Sequence, residues 1–190
     1  MTITVEHLAN GVSLVTLSAE TSRNGLNMES MKSMSDIMNS LLDDKSIKSI
    51  VMTGTGKFFC SGADIDSFAS AIDDGSIADL VGALTSLLHP MELKIRASEK
   101  IFVAAINGSA AGGGLGLALC ADYRVCIPEA KLAAAFFSLG LSPDGGSTWL
   151  LPRLVGTQRA KKFFFENQVW DGNKALELSL IHISEPTRLG

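Results

Sequence analysis

Cysteine is scarce in this chain. Only Cys60, Cys120 and Cys126 occur in 190 residues; an odd number without C-x-x-C spacing argues against a disulfide framework or a structural zinc site. Buried thiols in a reducing, cytoplasmic compartment are the expectation. No apolar run approaches the roughly 20 residues needed to span a bilayer. The N-terminal "MTITVEHLANGVSLVTLS" alternates like a strand and lacks a basic region followed by an apolar one, so it does not read as a signal peptide. Basic charge is not in excess either: a net charge of −4 and a pI near 5.3 argue against nucleic acid or an anionic membrane as partner. No His/Cys/Asp/Glu cluster has metal-ligand spacing, so no metal is expected.

What is present is apolar. With 46% hydrophobic and 19% charged residues, the chain can bury the core of one domain. "TITVEHL" and "VSLVTLS" around "ANG" read as a β-hairpin. Asn27 is placed to cap a helix from Met28, with Met31, Met34, Ile37, Met38, Leu41 and Leu42 on one stripe. "SIVMTG" reads as a buried strand, "TGKFFCSGAD" as a loop and residues 76–98 as a helix. "IFVAAING" reads as a strand, "GGGLGLALCA" as a helix start and "DYRVCI" as a further strand. This order predicts an α/β layer fold with short buried strands.

The glycine-rich segments are not nucleotide loops. After Gly112 and Gly114 the third glycine of G-x-G-x-x-G falls on Leu117, and "GTGK" lacks the earlier glycine and the Ser/Thr of a P-loop. A glycine run entering a helix instead presents N–H groups to an anion. "CSGAD", after its strand, can present a second N–H, so two tight turns or an oxyanion hole are both open readings. Asp144, in "GLSPDGGSTW", is likewise open: aspartate after proline suits a turn, and a carboxylate among apolar residues suits an acid or base. His7, His89 and Cys60 have no motif partner and read as surface or packing residues. Asp122, Arg124 and Arg153 read as structural polar groups at element ends.

Taken together, "FFCSGADI", "VAAINGSAAGGGLGLALCADYRV" and "LGLSPDGGSTWLLPRLVG" resemble the enoyl-CoA hydratase/isomerase (crotonase) family in order, separation and strand-to-helix context. The resemblance covers residues 1–178. It implies a ClpP/crotonase-like fold of repeated β-β-α units, a C-terminal helical region truncated here, acyl-CoA thioester substrates, and a homotrimer or hexamer in the full-length form. No separate cofactor is implied, because coenzyme A is part of the substrate. By motif position, Ala63 and Gly113 supply the oxyanion-hole N–H groups. Asn24, Gly25 and Leu26, with Ser61, Gly62, Asp64 and Ile65, lie along the CoA moiety, mainly through backbone.

Hydratases of the family carry two glutamates where this chain has Gly116 and Phe136, which argues against simple hydration by that mechanism. Isomerases of the family, including those acting on ring-epoxidised phenylacetyl-CoA, place one acidic residue at the position of Asp144. The resemblance therefore implies isomerisation of a 3-enoyl-CoA to a 2-enoyl-CoA, or of a ring epoxide, with Asp144 as the single base. Other family chemistry stays open, including hydration and dehalogenation with Asp144 as nucleophile, as does a truncated CoA-thioester binder without activity. Residues 179–190 form a separate tail in this reading. "SLIHISEPTR" resembles the in-frame translation of a sequencing adapter, which leaves His182 without functional standing.

Overall fold

A computed structural model describes residues 1–19 and 23–183. The hairpin forms as the alternation requires: β1 (Thr2–His7) and β2 (Val12–Ser18) pair antiparallel, Thr2 opposite Ser18 and His7 opposite Ser13. Period-2 patterning puts Ser13, Val15 and Leu17 on the buried face. Helix α1 (Met28–Asp43) starts at a reciprocal cap: the Ser30 N–H donates to Asn27 Oδ1 at 2.9 Å and the Asn27 N–H donates to Ser30 Oγ at 3.0 Å. Its methionine stripe is core, with Met31, Met34, Met38 and Leu41 buried. Each such side chain contributes about 1.5–3 kcal/mol by leaving water.

Strands β3 (Ser49–Gly54), β5 (Ile101–Ile106) and β7 (Tyr123–Cys126) follow β2 in parallel, and the six-stranded sheet runs β1-β2-β3-β5-β7-β10. β10 (His182–Ile183) pairs parallel with β7, and Leu180 and Ile181 before it are buried. Leu180 and Ile181 thus pack into the core and the backbone of 182–183 joins the sheet, although their sequence shows neither period. The rest of the tail, 184–190, lies outside the described residues.

A second sheet was not visible in the sequence. β4 (Phe58–Cys60), β6 (Ser109–Ala111), β8 (Lys131–Ala133) and β9 (Val169–Asp171) form it in the order β4-β6-β8-β9. Each strand has three residues, too few to display an alternation. What read as the loop "TGKFFCSGAD" therefore contains β4. α2 (Ile65–Asp73) follows it and α3 (Ile77–Ala97) packs against α1. α4 (Gly113–Cys120) follows β6, and α5 (Ser147–Val155), α6 (Thr157–Phe165) and α7 (Gly172–Glu177) are the remaining α-helices among the described residues. All three cysteines are buried and free. Burial pushes the Cys60 thiol up to about 12 and that of Cys126 to about 11, so both are packing groups and not nucleophiles.

Asn24 holds the first sheet to the second. It is buried, its Oδ1 accepts from the Ala19 N–H at 2.7 Å, and its Nδ2 donates to the carbonyls of Phe58 (2.7 Å) and Thr55 (3.2 Å). Its φ of 54° lies in the left-handed region that asparagine tolerates best after glycine. Asn24→Ala strands these backbone groups, and a loss of about 2–4 kcal/mol is expected in denaturant unfolding. Asn24→Asp, which cannot donate to the Phe58 carbonyl, is expected to fall on the same side. Wild-type stability in both variants would contradict the clamp.

Candidate functional site

The site is assembled on α4, a helix with almost no polar character. Its entry residue Gly112 has a φ of 51°, and Gly113 opens the first turn, where an N–H has no carbonyl one turn back to bond. A methyl at Gly114 would collide with the Cys60 carbonyl, and one at Gly116 with the Gly145 carbonyl. Two bare positions on one helix therefore seat two loops, that after β4 and that before α5.

The loop after β4 is pinned by a parallel bridge between Leu26 and Ala63. The Leu26 N–H donates to the Gly62 carbonyl at 2.7 Å and the Asp64 N–H to the Leu26 carbonyl at 3.0 Å. N–H groups alternate along extended backbone, so that of Ala63 faces away from this bridge. Asp64 caps α2, accepting from the Ser67 N–H at 2.9 Å and the Ser67 hydroxyl at 2.8 Å. That is a structural use of its side chain.

Ala63, Gly113 and Asp144 line one cavity of about 350 Å³. Leu26, Ser61 and Ile65 also line it, whereas Asn24, Gly25, Gly62 and Asp64 stand behind it as the loops' framework. Its walls are mainly apolar, with Leu84, Leu88, Phe68 and Phe136 among them, and Asp144 is the one carboxylate among the described residues that line it. Phe136 occupies the wall directly, and Gly116 leaves no room for a side chain while the Asp144 turn is seated.

Asp144 is half-buried at a turn whose next residues, Gly145 and Gly146, have φ of 57° and 67°; two left-handed residues in succession suit glycine. The turn closes when Ser147 donates its N–H (3.1 Å) and hydroxyl (2.6 Å) to the Asp144 carbonyl. Burial raises the proton affinity of the Asp144 carboxyl, and the charge of nearby His89 opposes the rise.

A second carboxyl, which the sequence reading overlooked, stands beside it. Glu92 of α3 is 4% exposed, and its Oε1 is the one buried side-chain N or O atom without a hydrogen-bond partner among the described residues. Oε1 lies 3.1 Å from where a Gly116 Cβ would be and 3.5 Å from that of Gly145. Burial, and then the charge of Asp144, push Glu92 up to about 8. Asp144 registers no reciprocal effect, because Glu92 is still neutral when Asp144 loses its proton. The signal was in the pattern: Leu84, Leu88, Met91, Glu92 and Ile95 share the buried stripe of α3, so the glutamate sits where only apolar residues are expected.

Asp144 also borders a wider pocket of about 810 Å³, which His89, Glu92, Arg96, Trp149 and Arg153 line with it. Arg153 stacks on Trp149 with its guanidinium carbon 3.1 Å from the ring centroid. Among the described residues no group of three or more His, Cys, Asp or Glu is placed to hold a metal, and no helix is long and apolar enough to cross a membrane.

The folded Glu92 keeps a proton that the unfolded chain releases near 4.5. Stability from this group is therefore full below about 4.5 and is lost as the pH rises to about 8. Thermal melts of Glu92→Gln are expected to remove much of that decline, raising stability at pH 8 by a few kcal/mol, order of magnitude, and little at pH 4.5. Parallel wild-type and variant curves across this window would contradict the assignment.

Comparison with known proteins places this geometry. The 1,2-epoxyphenylacetyl-CoA isomerase of Escherichia coli (strain K12) is 33% identical over 160 residues, covering 84% of this chain and 61% of that protein. The 4-chlorobenzoyl coenzyme A dehalogenase-2 of an Arthrobacter species is 30% identical over 183 residues, covering 95% and 64%. This chain thus spans less than two thirds of either relative. The crystal structure of an enoyl-CoA hydratase from Bacillus anthracis superposes with a TM-score of 0.89 at 28% identity, covering 98% of this chain and 71% of that one. A family model described as Enoyl-CoA hydratase/isomerase matches residues 7–186. With parallel sheets, a glycine-entered helix and superposition on a hydratase of that fold, the chain has the crotonase fold and belongs to the enoyl-CoA hydratase/isomerase family.

Proposed function

We propose that the protein is an acyl-CoA isomerase that shifts a 3-enoyl-CoA double bond to C2, or isomerises a ring-epoxidised phenylacetyl-CoA. The observation that carries this reading is Asp144, the single carboxylate among the described residues lining an apolar cavity that Ala63 and Gly113 also line. Bound there, the thioester oxygen accepts from the Ala63 and Gly113 N–H groups. Asp144 takes the C2 proton, and the C–H electron pair passes into a dienolate whose oxygen charge those N–H groups stabilise. The protonated Asp144 then delivers a proton to C4, forming the new C–H bond and restoring the carboxylate. One base on one face completes the balance, which suits a site with Gly116 and Phe136 where hydratases carry glutamates. Apolar walls raise the proton affinity of Asp144, matching it better to a carbon acid. Leu26, Ser61 and Ile65 line the same cavity, and the backbone of their loops runs along the CoA moiety. No metal or separate cofactor enters the scheme.

A second reading has its own observation. His89 borders the wider pocket with Asp144 and acts electrostatically on it, and a relative's name is that of a dehalogenase. In that chemistry Asp144 attacks an aryl carbon, halide leaves, and water activated by His89 hydrolyses the aryl ester. A trapped aspartyl adduct in mass spectrometry favours it. α-Proton exchange without an adduct favours isomerisation.

Asp144→Asn is expected to lower turnover of a 3-enoyl-CoA by about 10²–10⁴-fold while leaving thioester binding near wild type. Retention of full turnover by this variant would refute Asp144 as the base. Because only the ionised carboxyl accepts a proton, kcat/KM is expected to rise with pH to a plateau, with its midpoint above the ordinary aspartate value. A midpoint at or below that value would contradict the apolar placement.

A further inference from the structure

We propose that Glu92 is the proton-exchange partner of Asp144, a second carboxyl through which the proton taken from substrate is traded for one from the wider pocket; the inference rests on Asp144 acting as the base. Three observations point to it. Glu92 is almost wholly buried with Oε1 unpartnered. It faces the bare Cα of Gly116 and the turn residue next to Asp144. Asp144 borders both cavities, whereas Glu92 borders only the wider one. A carboxyl kept for structure would be satisfied by a helix terminus or a cation. An orphaned one costs stability that an apolar residue of similar volume would not.

The exchange balances without any added reagent. After C2 deprotonation, Asp144 and Glu92 each carry a proton. Glu92 gives its O–H proton to Asp144 across the wider pocket that both line and takes the substrate-derived proton in return, so both carboxyls stay neutral. The incoming proton, supplied through the wider pocket, is the one delivered to C4. Glu92 is a positioning residue in this scheme, since it does not line the substrate cavity and acts through Asp144. Burial and the charge of Asp144 on the turn set its protonation, and Glu92 in turn acts on Cys120 of α4; His89 and Arg96 of α3, with Asp122, Arg124 and Arg153, line the same pocket. Glu92 is the member of this set that supplies an unpaired carboxyl oxygen in the interior.

The test is isomerisation of a 3-enoyl-CoA in D₂O by the whole chain. Wild-type product is expected to carry solvent deuterium at C4. In Glu92→Gln that content is expected to fall at least about fivefold, with transfer from C2 to C4 becoming internal and turnover persisting. Equal deuterium content in the two proteins overturns the proposal. Carbon-13 NMR of glutamate carboxyls in wild type and Asp144→Asn needs no turnover and no folded Glu92 variant. The buried glutamate signal is expected to titrate at least about one pH unit lower once the Asp144 charge is removed, and an unmoved titration overturns the coupling. If Asp144→Asn isomerises at the wild-type rate, the base assignment fails. If it is inactive while Glu92→Gln exchanges like wild type, the relay alone fails.

Discussion

The site depends on two missing side chains. Because Gly114 carries no Cβ, the Cys60 carbonyl rests on α4. Because Gly116 carries none, the Gly145 carbonyl rests on the roughly opposite face of the same helix. A single short helix thereby fixes the distance between the β4 loop, which carries Ala63, and the turn that carries Asp144. The N–H of Gly113 lies at the start of that helix and needs no separate positioning. A side chain at Gly114 would push the β4 loop off α4, and one at Gly116 would push off the Asp144 turn.

Electrostatically, the same packing creates a pair of unequal carboxyls. Asp144 has one side on an apolar cavity and the other on a wide polar-edged pocket, so it is ionised first. Glu92, deeper and facing that charge, holds its proton to about 8. Environment separates two chemically similar groups by how tightly each holds its proton. Glu92 occupies the region next to Gly116, where hydratases of the family resemblance place a glutamate on α4 itself. Here the carboxyl comes from α3, and it is turned toward the wider pocket instead of the substrate cavity.

Much of this was legible in the residues. The hairpin, α1 with its Asn27 cap, and the parallel strands β3, β5 and β7 follow from period and capping chemistry. The fold family follows from three ordered motifs. The second sheet was not legible, because strands as short as Ser109–Ala111 carry too little pattern and owe their existence to neighbours distant in the chain. Residues 180–183 join the main sheet for the same reason, tertiary context overriding a weak local signal. At the site, Asp144 was visible as an isolated carboxylate, but its polar partner was not. Glu92 was overlooked because a glutamate inside a helical stretch reads as solvated. Only its phase on the stripe of Leu88, Met91 and Ile95 marks it as interior.

The most direct measurement of the central claim is wash-out of the α-protons of a saturated acyl-CoA in D₂O, which needs a base and an enolate-stabilising pocket and nothing else. Exchange at C2 by the wild-type chain, loss of that exchange in Asp144→Asn, and no addition of water to a 2-enoyl-CoA are expected. Equal exchange in wild type and Asp144→Asn would place the base elsewhere and contradict the claim.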